Sequence, residues 1–332
     1  MKKFYLTIVT LMLLVVSGCG ASKDKADASR VYTLKMSTQL NETHPIVEGL
    51  KEWSKRVADK TDSRLKIEIL PSGQLGTDED IIEQAMLGVN VAILTDGGRM
   101  SDYVHDIGIV GMPYIGDNYD DMRKITETTT FKGFEKELTK KAGIYPIAFN
   151  WYDGPRHYLT NKPIKEPKDL KSERIRTPSA PTWSVSVSKM GGTPINMPWS
   201  ETYNGIQSKA ADGAEAQYTA IYTSRMFEVA RYVNKTGHFQ LLNGIICGEK
   251  WIKTLPKEFQ EILIEECKAT AADNAKYVES KQLEYEDLMK KEKVEIITPD
   301  VEAFKKASEE SYKELGFEDL RKQIWSEIGK GQ

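Results

Sequence analysis

Ile46, Leu50, Trp53 and Val57 are spaced by four, three and four residues, which puts them on one face of an α-helix opened by Thr43-His44-Pro45. On either side the period changes. Residues 31–37 and 64–70 read as strands, the second stopping at Pro71-Ser72-Gly73, and 89–95 is a third. Ile81, Ile82, Ala85 and Met86 mark a short helix between the last two. The order βαβαβ predicts a mostly parallel sheet with helices on its faces and a ligand site at the carboxyl ends of the strands. The loops after Met36, Leu70 and Leu94 are therefore the ones to watch. A second βα-rich region covers about 154–241, with turns at Lys162-Pro163 and Glu166-Pro167-Lys168, a strand at 172–176, and Gly191-Gly192 before another strand. After Pro256, which suits a first helical position, Phe259, Ile262, Leu263, Cys267 and Ala271 mark one face of a helix continuing to about Lys290. At 1.5 Å per residue it is on the order of 50 Å long, enough to span two lobes.

The first residues follow a different logic. Lys2 and Lys3 precede an apolar run over 4–16, long enough for the core of an export signal and short for a membrane span. The run ends in Val16-Ser17-Gly18-Cys19, which resembles a bacterial lipobox. The reading is a lipoprotein signal peptide at 1–18, lipid on Cys19 and a polar tether at 19–30; an ordinary cleaved signal with a chance cysteine is the alternative. The expected location is exported and membrane-anchored through that lipid, facing the extracytoplasmic space, periplasm or cell surface.

Composition narrows the function. A chain of 332 residues that is 40% hydrophobic can bury a core, and its length suggests about two lobes. The formal net charge of −3 becomes about −5 once two leader lysines are removed, so nothing attracts nucleic acid. Cys19, Cys247 and Cys267 contain no CxxC pair, and Cys267 reads as a small buried hydrophobe, unbridged to Cys247. His44, His105, His157 and His238 are scattered. No HExxH, GxSxG, GxGxxG or P-loop is present, so neither a metal nor a cofactor is expected and an enzyme lacks sequence support. Thr77-Asp78-Glu79-Asp80 suits either a cation or the start of a helix.

A series of phrases points further: Pro71-Ser72-Gly73-Gln74-Leu75-Gly76, Trp151-Tyr152-Asp153-Gly154-Pro155-Arg156, Asn161-Lys162-Pro163-Ile164, Pro167-Lys168-Asp169-Leu170-Lys171 and Arg174-Ile175-Arg176-Thr177-Pro178. Gly191-Gly192-Thr193-Pro194, Met197-Pro198-Trp199-Ser200-Glu201-Thr202-Tyr203, Ala211-Asp212-Gly213-Ala214-Glu215, Trp251 and Leu255-Pro256 continue it. In this order they resemble the DctP family of solute receptors for tripartite ATP-independent periplasmic (TRAP) transporters, from about residue 31 to the end. The resemblance implies an α/β, two-lobed periplasmic-binding-protein-like (class II) fold with a hinge and a long helix spanning both lobes. Lobe I is expected at 31–153 plus 242–281 and lobe II at 154–241 plus 282–332.

The function it implies is capture of a small organic acid in the interlobe cleft and delivery to the small and large membrane subunits of a permease, without catalysis. Arg176 matches the family's carboxylate-clamping arginine and Arg156 its second one; a guanidinium offers a carboxylate two parallel N–H donors. Surface salt bridging to Glu173 or Asp169 is the alternative for Arg176. Trp199 falls where the family sets an aromatic ring against the ligand, or else is core. Gln39, Asp78 and Asp96 either face the ligand or cap local structure. Glu215, in the Asp-Gly-x-Glu phrase, is expected among the ligand-binding residues; related members follow that phrase with asparagine, whereas Ala216 stands here and Gln217 is expected to replace the amide. Trp183 with Trp199 adds stacking surface, which brings aromatic or branched acids into range. Ser172 replaces the glycine usual after Asp-Leu-Lys. A receptor for a membrane signalling protein has a similar sequence, and an extracytoplasmic enzyme is the more distant alternative.

Overall fold

The computed structural model describes residues 30–330; the leader, Cys19 and the tether up to residue 29 lie outside the described residues. The chain begins β1 (Tyr32–Ser37), α1 (Pro45–Lys60), β2 (Leu65–Leu70), α2 (Asp78–Leu87), β3 (Val91–Asp96), α3 (Gly97–Met100), α4 (Tyr119–Glu127) and α5 (Thr129–Ala142). A 17-residue strand, β4 (Ile144–Thr160), leads to β5 (Arg174–Thr177), α6 (Pro181–Lys189), β6 (Thr193–Asn196), α7 (Trp199–Gln207), β7 (Gly213–Ala216) and α8 (Tyr218–Thr223). A second 17-residue strand, β8 (Tyr232–Gly248), is followed by α9 (Glu249–Ile252) and the 35-residue α10 (Lys257–Lys291). The chain continues through β9 (Glu295–Ile297), α11 (Val301–Glu314) and α12 (Glu318–Glu327).

Local chemistry sets the boundaries. His44 caps α1 through Nδ1, which accepts from the Ile46 amide at 3.2 Å, and Pro45 follows at a position that needs no amide donor. Ile46, Leu50, Trp53 and Val57 are all buried, as their spacing predicts. Thr77 and Asp80 form a capping box at the start of α2, so the acidic run there opens a helix.

The nine strands of the described residues join one sheet in the order β2-β1-β3-β8-β4-β7-β5-β6, with β9 on β8. The flanks are parallel: β1 with β2 and β3, β5 with β6 and β7. Parallel pairings outnumber antiparallel ones, as the βαβαβ order implies, but the centre is antiparallel: β8 runs antiparallel to β3 and β4, and β4 to β7. The two long strands carry the chain between halves in opposite directions. Their pairing is broken by register shifts around residues 146–158, irregularities that bend strands and obscure a period of two.

Two of the apolar clusters involve opposite ends of α10. Phe259, Leu263, Cys267 and Ala271 pack with Trp53 and Trp151 beneath β1–β3, whereas Tyr285 and Met289 pack with Ile206, Ile221 and Phe227 on the other side. Where α10 crosses β4, Gly154 has φ +99°, and a Cβ there would stand 2.3 Å from Gln282 Nε2. That close approach lets Gln282 donate to the Asp153 carbonyl at 2.8 Å. The C-terminal segment serves both halves: Phe304 packs against Tyr158 and Trp183, but Tyr312, Phe317 and Ile324 join the core around Ile107 and Phe131.

Three histidines, His44, His157 and His238, are buried, and burial lowers their affinity for a proton. For His157 burial, aided by Lys235, brings the pKa from 6.5 to about 3. Between those values the unfolded chain binds a proton that the folded one refuses, so stability is lost as pH falls from about 6.5 toward 3. His157 Nδ1 accepts from the Gly237 amide at 3.1 Å, an acceptor that glutamine can reproduce. His157→Gln should therefore flatten the acid side of the stability profile by up to about 1.4 kcal/mol per pH unit. Urea titrations at a series of pH values check it; an unchanged slope would contradict a neutral buried imidazole.

Candidate functional site

The carboxyl ends of the flanking strands converge on a cavity of about 80 Å³ between the two halves of the sheet. Thr38, Gln39 and Leu40 after β1, Asp78 at the start of α2 and Asp96 at the end of β3 line one side. Arg156 from β4, Arg176 from β5, Trp183 from α6, Trp199 at the start of α7 and Gln217 after β7 line the other. Of the eight residues singled out from sequence, seven reach this one cavity. Glu215 does not line it and lies fully buried behind Arg156.

Three arginines meet here with different partners. Arg99 is held between carboxylates, Nη2 donating to Asp78 at 2.7 Å and Nη1 to Asp96 at 2.6 Å. Arg156 is held by Glu215: Nη2 donates to Oε1 at 2.7 Å and to the backbone carbonyl at 2.6 Å, and Nε donates to Oε2. Arg176, 2% exposed, forms no ion pair with any described residue. Its Nε donates to the Met197 carbonyl at 2.8 Å, and its guanidinium carbon lies 5.3 Å from the centre of the Trp199 ring. Glu173 instead pairs with Lys162, and Asp169 accepts from the amides of Lys165 and Glu166. Burial, reinforced by Arg156 and Arg99, pushes the Arg176 guanidinium down to about 9 against the pull of Glu215 and Asp78. It stays charged at neutral pH. The cavity thus presents one buried cation whose charge no neighbouring carboxylate pairs.

Polar groups surround it. Gln217 Oε1 accepts from Arg156 Nη1 at 3.3 Å while its buried Nε2 has no partner among the described residues. Asp78 Oδ1 is likewise unpartnered, and burial raises this carboxyl against the pull of Arg99. Asp96 both caps α3, accepting from the Arg99 amide at 3.0 Å, and faces the cavity, so its two readings coexist. Gln39 Nε2 donates to the Gly76 carbonyl at 2.9 Å.

Arg99, Asp153 and Asn243 also line the cavity and escaped the sequence reading. Asp153 precedes the Gly154-Pro155-Arg156 phrase, and Asn243 is the one polar residue in the run 241–247; these were the available signals. Burial pushes the Asp153 carboxyl up to about 7. Its Oδ1 accepts from Thr219 Oγ1 at 3.1 Å and sits 3.5 Å from His44 Nε2, which carries the neutral ring's proton because Nδ1 accepts at the helix cap.

Known proteins resemble this chain over most of its length. The chain is 25% identical over 308 residues to the sialic acid-binding periplasmic protein SiaP of Vibrio cholerae, covering 92% of this chain and 94% of that one. A TRAP periplasmic solute-binding protein of Ochrobacterium anthropi, solved with bound L-fuconate, shares 30% identity over 90% of this chain and 99% of its own, with a TM-score of 0.87. One from Escherichia fergusonii, in an apo open structure, shares 32% identity over 89% and 99% with a TM-score of 0.78. Residues 36–319 match bacterial extracellular solute-binding protein family 7, DctP. The chain belongs to that DctP family of TRAP solute-binding proteins.

Proposed function

We propose that this protein captures a small organic monocarboxylate in the cleft, clamps its carboxylate on Arg176, and releases it unchanged to a membrane permease. The observation that carries the reading is the Arg176 guanidinium, buried and without a carboxylate partner among the described residues while Arg99 and Arg156 each have theirs. One unpaired cation suits one carboxylate. Asp78, Asp96 and Asp153, with the amides of Gln39, Gln217 and Asn243, suit the hydroxyl or amine groups of the rest of the molecule. Arg156 and Trp199 flank the clamp. Two relatives bind carboxylates, sialic acid in one and L-fuconate in the other.

Lobe I is taken as 31–153 plus 242–281 and lobe II as 154–241 plus 282–332, closing about the β4–β8 crossing. Anchoring through lipid on Cys19 belongs to the same proposal; among the described residues no helix is long and apolar enough to cross a membrane. Metabolic lipid labelling that persists on Cys19→Ser would refute the anchor.

A thermal-shift screen tests the central claim. Sugar acids, keto acids and dicarboxylates are compared with their neutral amides or lactones. An acid present at 100 times its dissociation constant stabilises the fold by about 2.7 kcal/mol, which shifts the melting temperature by several degrees. Stabilisation by neutral analogues and not by acids would overturn the reading.

A further inference from the structure

We propose that Trp183 is a latch between the lobes, holding the cleft closed by its own hydrogen bond to Asp96 and so setting affinity through closure. The inference rests on the two-lobed closing just proposed. Trp183 sits on α6, in the half that carries Arg176, and is buried. Its ring is braced there by Phe239, edge-on at 4.5 Å between centroids, with the Arg156 guanidinium 5.1 Å away. The indole Nε1 reaches out of that half and donates to Asp96 Oδ1 at 3.0 Å, at the end of β3 in the other.

A buried indole N–H needs an acceptor, and a carboxylate oxygen supplies one. Asp96 is fixed independently, by capping α3 and pairing with Arg99. Both ends of the bond are therefore held before it forms, which limits the entropy lost on making it. The approach also depends on Gly98. A Cβ there would stand 2.4 Å from Trp183 Nε1 and 2.9 Å from Cδ1, closer than atoms can sit. The glycine is a seat for the indole. Ser101 and Thr182, with hydroxyls 3.5 Å apart, meet beside it, and Asn41 Nδ2 donates to the Thr223 carbonyl at 2.6 Å at a second crossing. The overlap is also better with the L-fuconate-bound relative than with the apo open one, although the latter is more identical in sequence.

A bond made only in the closed form shifts the open–closed equilibrium whether or not an acid is bound. Two variants separate the bond from the ring: Trp183→Phe keeps an aromatic side chain and loses the donor, whereas Gly98→Ala retains both groups but crowds the indole and, at 2.8 Å, Asp96 Oδ1. Single-molecule energy transfer between dyes on cysteines introduced at the exposed Lys66 and Ser208 reports the closed fraction with no acid added. The wild type should visit the closed form, and each variant should lower that fraction by about tenfold. No closed fraction in the wild type, or an unchanged fraction in Trp183→Phe with its circular dichroism intact, would overturn the latch. A fall in Trp183→Phe but not in a folded Gly98→Ala would also count against it, since the bond and its seat must fail together; should Gly98→Ala not fold, Trp183→Phe decides. The measurement uses no ligand, so the thermal-shift screen can fail while the latch stands, and the reverse.

Discussion

Replacing Arg176 with alanine should weaken acid binding by a hundredfold or more while leaving the fold at least as stable. A carboxylate entering a water-poor cleft gives up its hydration and needs a rigid, permanently charged partner. Removing one member of a buried ion pair costs about 3–5 kcal/mol, and each 1.4 kcal/mol is about tenfold in affinity. The protein itself gains little from this arginine, which is buried without a carboxylate partner among the described residues and makes a single hydrogen bond, to the Met197 carbonyl. Its charge is a cost to the fold that an anion offsets. Arg176→Lys keeps the charge but lacks the two-pronged planar donor, and lysine is the more strongly hydrated cation, so it should recover little. Calorimetry with the strongest acid from the screen, alongside melting curves, decides between clamp and support. Near-wild-type affinity in a folded Arg176→Lys would move the clamp elsewhere; a collapse in stability of Arg176→Ala would make the residue structural.

The flanks of the fold were easier to read than its middle, for a physical reason. Strands such as β1, and α1 with Trp53 buried, obey a single period because one element packs on one core. β4 and β8 do not: each passes through two cores and takes part in irregular pairing, so no alternation survives over 17 residues. The site divides in the same way. Arg156, Arg176 and Trp199 sit in phrases whose spacing is itself recognisable, whereas Arg99 becomes part of the site only because β3 brings Asp96 beside α2, where Asp78 waits. Asp153 depends on α10 and α8 arriving from far along the chain. The expected role of Glu215 changes once contacts are known, since its carboxylate supports Arg156 and does not line the cavity. Ser172, read as a turn substitution, has φ +69°, a conformation that glycine tolerates with less strain.

That support makes Glu215 the second large effect. Its carboxylate is fully buried, and both oxygens take N–H groups from Arg156. Glu215→Ala leaves Arg156 with the Glu215 backbone carbonyl and the Gln217 Oε1 at 3.3 Å, beside an Arg176 that also loses an opposite charge. One uncompensated guanidinium becomes two. Breaking such a pair costs about 3–5 kcal/mol, so the melting temperature should fall by on the order of 10 °C for a domain of this size. The double variant Arg156→Met/Glu215→Leu removes both charges and keeps most of the volume; it should recover most of that stability, because apolar replacement of a whole buried pair is often neutral or better. Binding separates the roles. If Arg156 assists Arg176 at the carboxylate, the double variant is stable yet weaker for the acid; if Arg156 is structural alone, its affinity returns with its stability. A Glu215→Ala protein melting within about 2 °C of wild type would show that the pair contributes little and that other contacts hold Arg156 in the cavity wall.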